Sequence, residues 1–262
     1  NIWADGFFSN VNQQDHEHIQ GYKTDISGIS IGADRYLKNN AIIGAAVSYA
    51  KFDTKHTDSR IGKMNSNVYL LSLYGQYSFQ NTTFIRGMVS AAKFGDDNKN
   101  SALTLLQGHS YHGNLTASHY FYPLKNNKKL TLVPTAGIRC AYFNTSGNKL
   151  ADSSSNKPIG NESYKFEGII GISLEQLVAD NANNNLNVLS TVYGYVHRNL
   201  YDSLDPNSNS TFNPDVITGR EHCLHKTFYQ LGAKLAIKRN IMEIGVACDV
   251  YLAEKYVSHT GT

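Results

Sequence analysis

The segment Gly28-Ile29-Ser30-Ile31-Gly32 has the G-x-S-x-G spacing that presents a nucleophilic serine in many hydrolases. That chemistry needs a sharp strand-to-helix turn at the serine, which holds its hydroxyl clear of the backbone. Here apolar and polar residues keep alternating through the motif, and turn residues come only at Lys38-Asn39-Asn40. The pattern therefore predicts a continuous strand with Ser30 on its polar face, and no catalytic nucleophile.

Two histidines, His109 and His112, lie near Asp96-Asp97, a combination that is used in metal binding and in acid–base catalysis. Residues three apart on a strand point to opposite faces of the sheet, so these histidines are not expected to bind one ion together. We therefore expect no catalytic residue, no metal site and no cofactor. Two other histidine pairs, which we expect to be solvated, are His16 with His18 and His222 with His225.

Composition excludes several classes of protein. The 262 residues carry 24 basic and 21 acidic side chains, and the net charge of +3 is too small for a dedicated nucleic-acid-binding protein. Charged residues make up only 17% of the chain, whereas roughly 25% is usual in soluble domains. No apolar run approaches the ~20 residues of a membrane-spanning helix. The cysteines Cys140, Cys223 and Cys248 have no CxxC spacing, which predicts free thiols or at most one disulfide bond.

Alternation with a period of two residues dominates the chain, and this period is typical of β-strands. Between Ser163 and Gln176, one face carries aromatic and aliphatic residues and the other carries lysine, glutamate, serine and glycine. Only Ile169 falls on the opposite face from the other aliphatic residues. A helix would mix these two sets of residues, whereas a strand separates them.

Similar segments recur along the whole chain and predict twelve strands, of which the last is incomplete. They are Ile2–Phe8, Ile29–Tyr36, Ile43–Tyr49, Tyr69–Phe79, Phe84–Phe94, Tyr111–Tyr122, Leu130–Tyr142, Ser163–Gln176, Leu186–Arg198, Tyr229–Lys238, Met242–Leu252 and the start of a strand at His259–Thr262. Short spacers that contain asparagine alternate with longer polar connectors, the last of them brief and near Ser258. A meander with tight turns at one end and loops at the other produces this order.

Charges of both signs lie on the polar face of these strands, while the apolar face has almost none and has aromatic residues near the strand ends. An apolar band edged by aromatic residues around a polar interior is the arrangement of transmembrane β-barrels, whose sheet has to close on itself. We therefore predict an all-β fold, a 12-stranded antiparallel up-and-down transmembrane β-barrel with a truncated last strand. Residues 1–262 form it as a single domain. The residues expected to line its lumen are Asp34, Arg86, Arg139, Lys165, Glu167, Lys234, Lys238, Glu243 and Asp249.

The number of strands sets the expected width of the lumen. Barrels of about eight strands are filled by their interior side chains, and those of roughly sixteen hold a water-filled channel. Twelve strands therefore predict a lumen that is narrow but not closed. Such a lumen can accept a helix or an extended chain.

Several Gly- and aromatic-containing segments resemble the C-terminal translocator domain of autotransporters, the type V secretion proteins. These segments are Asn1–Gly6, Gly21-Tyr22, Gly28–Asp34 and Ile43-Gly44. The asparagine-rich composition and the closing segment Tyr256–Thr262 are similar to rickettsial surface cell antigens in particular. The resemblance covers essentially the whole chain.

The resemblance implies an outer-membrane barrel of a Gram-negative bacterium that anchors and helps to export an N-terminal passenger. Its implied partners are its own N-terminal linker helix and passenger, the lipids of the outer membrane, and the outer-membrane assembly machinery. The implied barrel is monomeric and binds no nucleic acid. This sequence departs from the family in two expected respects. The family ends on a complete strand with a terminal aromatic residue, whereas this sequence ends at Thr262. The family carries its linker helix before the first strand, whereas the first strand here is expected to begin at Ile2.

Two other functions remain open from the sequence. A stand-alone outer-membrane pore would conduct ions stably without a plug. An outer-membrane protease or lipase would need an Asp/His or Ser/His cluster at the long-loop end, for which His109, His112, Asp96 and Asp97 are the nearest candidates. The favoured prediction is the non-enzymatic translocator and anchor.

Overall fold

The computed structural model describes residues 1–15, 21–37, 40–57, 63–79, 82–96, 106–123, 129–147, 160–181, 186–203, 226–239 and 242–262. These residues form a β-sheet whose strands are all antiparallel to their neighbours. Its strands are β1 (Ile2–Gln13), β2 (Tyr22–Leu37), β3 (Ala41–His56), β4 (Lys63–Phe79), β5 (Thr83–Asp96), β6 (Leu106–His119), β7 (Leu130–Gly147), β8 (Gly160–Asn181), β9 (Leu186–Asp202), β10 (Thr227–Arg239), β11 (Met242–Ala253) and β12 (Tyr256–Gly261).

Each strand pairs with its neighbours in the chain, and the sheet closes on itself between β1 and β12. The closing pair runs from Phe8 opposite Gly261 to Gln13 opposite Tyr256. The predicted closed twelve-stranded up-and-down barrel is therefore confirmed. No helix in the described part of the chain has the length and apolarity to cross a bilayer.

The two ends of the barrel differ in their connections. We call one end the turn end, where residues 38–40, 80–82, 120–129, 182–185 and 240–241 join the strands and where β1 begins. The other is the loop end, where the connecting residues are 14–21, 57–62, 97–105, 148–159, 203–226 and 254–255. The predicted alternation of connections between two ends is confirmed, but not the strict alternation of their lengths: the turn-end connection 120–129 has ten residues because β6 ends at His119 rather than at Tyr122, and the loop-end connection 254–255 has two.

Most strands continue further toward the loop end than the sequence predicts. The strand predicted at Ile43–Tyr49 is β3, which continues to His56. The sequence prediction assigned apolar residues to the outer face and polar residues to the inner face. Beyond Tyr49 this assignment reverses, with Lys51 outside and Phe52 buried inside. The alternation itself persists, so the strand continues beyond the point where its outer face is apolar.

The last strand also begins earlier than predicted. β12 starts at Tyr256 rather than at His259, and the preceding connection is Glu254-Lys255 rather than residues near Ser258. Lys255 has a φ of 57°, a left-handed backbone that suits a tight hairpin turn. The six residues of β12 pair with both β11 and β1.

Inside the barrel, buried apolar side chains gather at the loop end. The buried cluster consists of Val11, Ile26, Ala50, Phe52, Val68, Ala92, Phe94, Phe228, Tyr251 and Tyr256. Outside, the large apolar side chains nearer the turn end are exposed, as at Val47, Leu71 and Ile244. The outer face therefore carries a lipid-facing apolar band nearer the turn end, and the interior is packed nearer the loop end.

Glycines on the inner wall make room for aromatic rings from the adjacent strand. Gly171 of β8 lies beneath the ring of Tyr195, and Gly232 of β10 lies beneath the ring of Tyr193. A Cβ atom added at either glycine would overlap the ring. The aromatic side chains therefore lie flat against the wall instead of projecting across the interior.

Candidate functional site

Strand register and alternation fix which side chains point into the barrel. Since the barrel is closed, a deeply buried strand residue has to point inward, and its cross-strand partner points to the same side. By this rule Glu167, which is 2% exposed, defines the inner face of β8, and its partner Arg139 lies on the inner face of β7. The same register places all nine predicted residues on the inner face: Asp34, Arg86, Arg139, Lys165, Glu167, Lys234, Lys238, Glu243 and Asp249.

Three of these residues form a buried ion cluster on the wall between β7 and β8. The Lys165 Nζ lies 2.6 Å from the Glu167 Oε1, and the Arg139 Nη1 lies 3.5 Å from the Glu167 Oε2. The side chains of Lys165 and Glu167 are only 6% and 3% exposed. A carboxylate so far from water is stable as an anion only while its cationic partners are present.

A second ion pair lies near the turn end and is open to water. The Lys234 Nζ is 3.6 Å from the Glu243 Oε1, and both side chains are about half exposed. Lys238 stands directly opposite Glu243 on the paired strands. Water weakens such a pair, so it contributes little to stability and leaves its charges available to another group.

Asp249 is held by Tyr193 and Gln230, two neighbours that the alternation pattern does not mark as functional. The Tyr193 hydroxyl donates to the Asp249 Oδ1 at 2.9 Å, and the Gln230 Nε2 donates to the same oxygen at 2.7 Å. Gln230 also lies 3.2 Å from the Nε2 of His197, whose ring stacks on Phe228 with centroids 4.3 Å apart. Alternation places these residues on the inner face, but only the register of β9, β10 and β11 brings them together.

Asp34 belongs to a separate polar group at the turn end. The amino group and side-chain amide of Asn1 donate to the carbonyl and carboxylate oxygens of Asp34, respectively. The Tyr74 hydroxyl accepts a hydrogen bond of 2.7 Å from the indole of Trp3 and lies 3.5 Å from the Asp34 Oδ2. These contacts fix the start of β1 against β2 and across to β4.

Arg86 also points inward, although two apolar residues, Phe84 and Met88, share its face. Its Nε donates to the Gln76 Oε1 at 2.7 Å, and its guanidinium lies 4.5 Å from the centre of the Phe84 ring. Arg86 remains exposed. The turn-end half of the interior therefore carries exposed charges at Arg86, Lys234, Lys238 and Glu243, beside the buried Phe84 and Val133.

At the loop end, by contrast, the interior is packed. Every strand contributes an inward side chain that is less than a tenth exposed, which we call the buried ring: Val11, Ile26, Phe52, Val68, Phe94, Ser110, Phe143, Lys165, His197, Phe228, Tyr251 and Tyr256. Water therefore has little access to these side chains. The ring joins large apolar side chains to the polar side chains of Ser110, Lys165 and His197. The lumen that is narrow but not closed stays a prediction.

Among the described residues, the candidate serine and histidines of the sequence do not form one site. Ser30 lies in the middle of β2, where its hydroxyl is 2.8 Å from that of Ser48, so the strand prediction is confirmed. His109 contacts Tyr111 and Tyr142 on the outer face, whereas His112 is buried inside beside Ser110 and Phe143. The side chain of Asp96, and the residues Asp97, His16, His18, His222, His225 and Cys223, lie outside the described residues.

The described side chains that could bind a metal, and the described cysteines, do not lie together either. Among the described residues, no three His, Cys, Asp or Glu side chains are placed to hold a metal ion. Cys140 and Cys248 are free and exposed on the outer face of the barrel. Within the described part of the chain, the chemistry of this barrel lies in ion pairs and hydrogen bonds on its inner wall.

A sequence profile described as "Autotransporter beta-domain" matches residues 2–242. The chain belongs to this family. The match covers β1 to β10 and reaches the start of β11, so it spans most of the closed barrel. The autotransporter resemblance stated from the sequence is thereby confirmed.

Rickettsial surface proteins are similar over the whole chain. The chain is 28% identical over 289 residues to "Outer membrane protein B" of Rickettsia japonica, covering 100% of this chain and 17% of that protein. It is 27% identical over 285 residues to "Outer membrane protein A" of Rickettsia conorii, covering 99% of this chain and 14% of that protein. The chain thus spans less than a fifth of the length of these relatives.

Solved autotransporter barrels have the same fold. The translocator domain of NalP from Neisseria meningitidis matches with a TM-score of 0.69 and 12% identity, covering 99% of this chain and 84% of that one. The β-domain of Bordetella BrkA matches with a TM-score of 0.68 and 12% identity, covering 99% and 96%. The family and the fold place this autotransporter β-domain in the outer membrane and point to a non-enzymatic role.

Proposed function

We propose that residues 1–262 act as one membrane domain that anchors an N-terminal passenger and helps to export it to the cell surface. The observation that carries this proposal is the construction of the barrel, with an apolar outer band around an interior that carries exposed charges at the turn end. β1 begins at that end, so a segment preceding Asn1 would enter the barrel beside Asp34, Lys234 and Glu243. Their exposed charges can bind such a segment.

A stand-alone pore is less well supported. A solute channel needs a continuous path of water between the two ends of the barrel. We infer that the buried ring restricts this path, since Phe52, Phe94 and Phe228 are each 4% exposed or less. Export would instead require the side chains of the buried ring to move apart only while a polypeptide passes between them.

We further propose that the barrel has no catalytic activity of its own. A protease or lipase in this position would need a nucleophile or base with its partner in one site. His109 and His112 point to opposite faces of β6, which argues against their serving as such a pair. Substitution of both histidines is expected to leave the display of a passenger unchanged.

The proposed partners are the linker helix, the passenger, the surrounding lipids and the outer-membrane assembly machinery. We propose that the barrel is a monomer, because β1 and β12 pair and leave no free strand edge between them for a second copy. The first and last strands of the chain meet at this seam, so the sheet can close only after β12 is in place. Help from assembly machinery would be needed there, before the first and last strands have met.

A display assay tests the proposed function. The chain would be joined behind a signal peptide, an epitope-tagged reporter and a helical linker, and expressed in a Gram-negative host. We expect the tag to be accessible to antibody and protease on intact cells, while a control lacking β10 to β12 leaves the tag inaccessible. Correct insertion of the barrel, seen as a heat-modifiable band, together with a tag that stays in the periplasm would contradict the proposal.

A further inference from the structure

The outer face of the barrel carries a group of lysines at the loop end of β2 to β5. We call it the basic patch, and its lysines are Lys23, Lys51, Lys55, Lys63 and Lys93. Each is exposed, and the register places each on the outer face, opposite to the buried side chains Thr24, Phe52, Val68 and Phe94 on the same strands. The patch therefore covers one continuous sector of the wall.

Three of these lysines face one another directly. Lys55 is the cross-strand partner of Lys23 on one side and of Lys63 on the other. Like charges at directly opposite positions of a sheet repel and destabilise the pairing. An anion lying over such a row would relieve this repulsion.

The carboxylates within the patch do not neutralise it. Asp53 lies 3.8 Å from both Lys51 and Lys63 and is shared between them, while Asp25 accepts a hydrogen bond from Asn10. Among the described residues, Lys23, Lys55 and Lys93 have no carboxylate within ion-pair distance. The patch therefore keeps an excess of positive charge.

The patch begins where the apolar band ends. Below it, Tyr49 and Tyr69 contact each other with ring centroids 5.3 Å apart, above the exposed Val47 and Leu71. Such an aromatic row marks the level of the lipid headgroups in outer-membrane barrels. Lys51 is two residues beyond Tyr49, about 7 Å along the strand, and Lys93 is the cross-strand partner of Tyr69.

Among the described residues, no other strand carries such a group, and the exposed loop-end cations Lys226 and Lys255 lie singly before β10 and between β11 and β12. Beyond the aromatic row, the outward positions of β1, β7 and β8 hold Asn10, Asn144 and Glu162. Arg198 of β9 is an isolated exposed cation on the opposite side of the barrel. Positive charge at the headgroup level is thus concentrated on β2 to β5.

We propose that the basic patch binds the phosphate groups of a phosphorylated glycolipid in the leaflet around the loop end. Lysine ammonium groups at this level contact headgroup phosphates, while the acyl chains lie against the apolar band below them. The bound phosphates offset the repulsion along the row from Lys23 to Lys63. This surface orients and fixes one sector of the barrel in its leaflet, independently of any passenger.

Binding of lipid A to the whole chain, folded in neutral detergent, tests this proposal. Bisphosphorylated lipid A is titrated and compared with the same lipid after removal of its phosphates. The patch variants are K51Q/K93Q, at the level of the aromatic row, and K23Q/K55Q/K63Q, six residues or about 20 Å further along the strands. The matched control is R35Q/K129Q/R239Q, which removes three cations from the turn end. We expect each patch variant to raise the Kd for bisphosphorylated lipid A by about tenfold or more, and the control to change it less than about twofold.

Further arms keep the test decisive. The charge-preserving variant K23R/K55R/K63R is expected to bind as the unsubstituted chain does, and heat-modifiable migration reports folding of each variant. Added salt is expected to weaken binding to the unsubstituted chain but much less to the patch variants. Equal binding of phosphorylated and dephosphorylated lipid, equal loss in patch and control variants, or displacement of the lipid by equimolar inorganic phosphate would each overturn the proposal.

Discussion

At the scale of single residues, the inner wall holds its charges in two different settings. Glu167 is buried between Lys165 and Arg139, whereas Glu243 shares a solvent-exposed pair with Lys234. The sequence could predict that these residues face inward, because alternation alone assigns the face. It could not predict which pairs are buried, since that depends on the register between strands and on the packing at the loop end.

We expect Glu167→Gln to destabilise the barrel strongly, because it leaves the Lys165 and Arg139 cations in a buried site without their anion. The loss should be about 3–5 kcal/mol of the free energy of unfolding. Glu243→Gln should cost less than about 1 kcal/mol, since its pair is exposed. Urea unfolding of the barrel in lipid vesicles, followed by the fluorescence of the single tryptophan, Trp3, gives both values. Equal losses in the two variants would contradict this assignment.

At the scale of strands, the sequence predicts the membrane-facing part well and the loop-end part poorly. In β3, Ile43–Tyr49 was recognisable because its outward residues are apolar and its inward ones are small or polar. From Ala50 onward the two faces exchange character, as the strand leaves the lipid and its outer face meets polar surroundings. A rule that assigns faces by polarity therefore ends the strand too early, although the period of two continues.

Glycines on the two faces of the strands should differ in their tolerance of a methyl group. Gly232 lies under the Tyr193 ring, which donates to Asp249, so Gly232→Ala is expected to displace that ring and to destabilise the barrel by about 1–3 kcal/mol. Gly87→Ala is the matched control, because its nearest neighbour, a methyl of Leu115, is 3.7 Å from an added Cβ. The thermal transition of heat-modifiable migration measures both. A loss at Gly87 as large as that at Gly232 would count against the packing described.

At the scale of the whole molecule, the barrel combines two environments along one axis. The part nearer the turn end has lipid outside and exposed charges inside. The part nearer the loop end has polar groups outside and a packed interior of mixed apolar and polar side chains. The alternation of apolar and polar residues, together with the order of the connections, was sufficient to predict a closed twelve-stranded barrel. They could not predict the buried ring, because side chains from all twelve strands meet only after the sheet has closed.

The buried ring should limit ion flow through the chain of residues 1–262. We expect little stable conductance in planar bilayers, and a clear increase in F52A/F94A, because these changes remove two large side chains from the ring. The control L71A/L73A removes apolar groups of β4 from the outer face and should leave conductance unchanged. High conductance of the unsubstituted barrel, or an equal effect of the outer-face control, would contradict the assignment of the ring as the barrier.

The central claim is that lipid surrounds this barrel and that its charged face points inward to water. Its most direct test compares spin labels at the adjacent positions 234 and 235, introduced as K234C and L235C in a chain whose native cysteines are replaced by serine. Since Lys234 faces inward and Leu235 faces outward, the label at 235 should be relaxed mainly by lipid-soluble oxygen and that at 234 mainly by a water-soluble nickel chelate. The opposite ranking, or equal accessibility at both positions, would contradict the account.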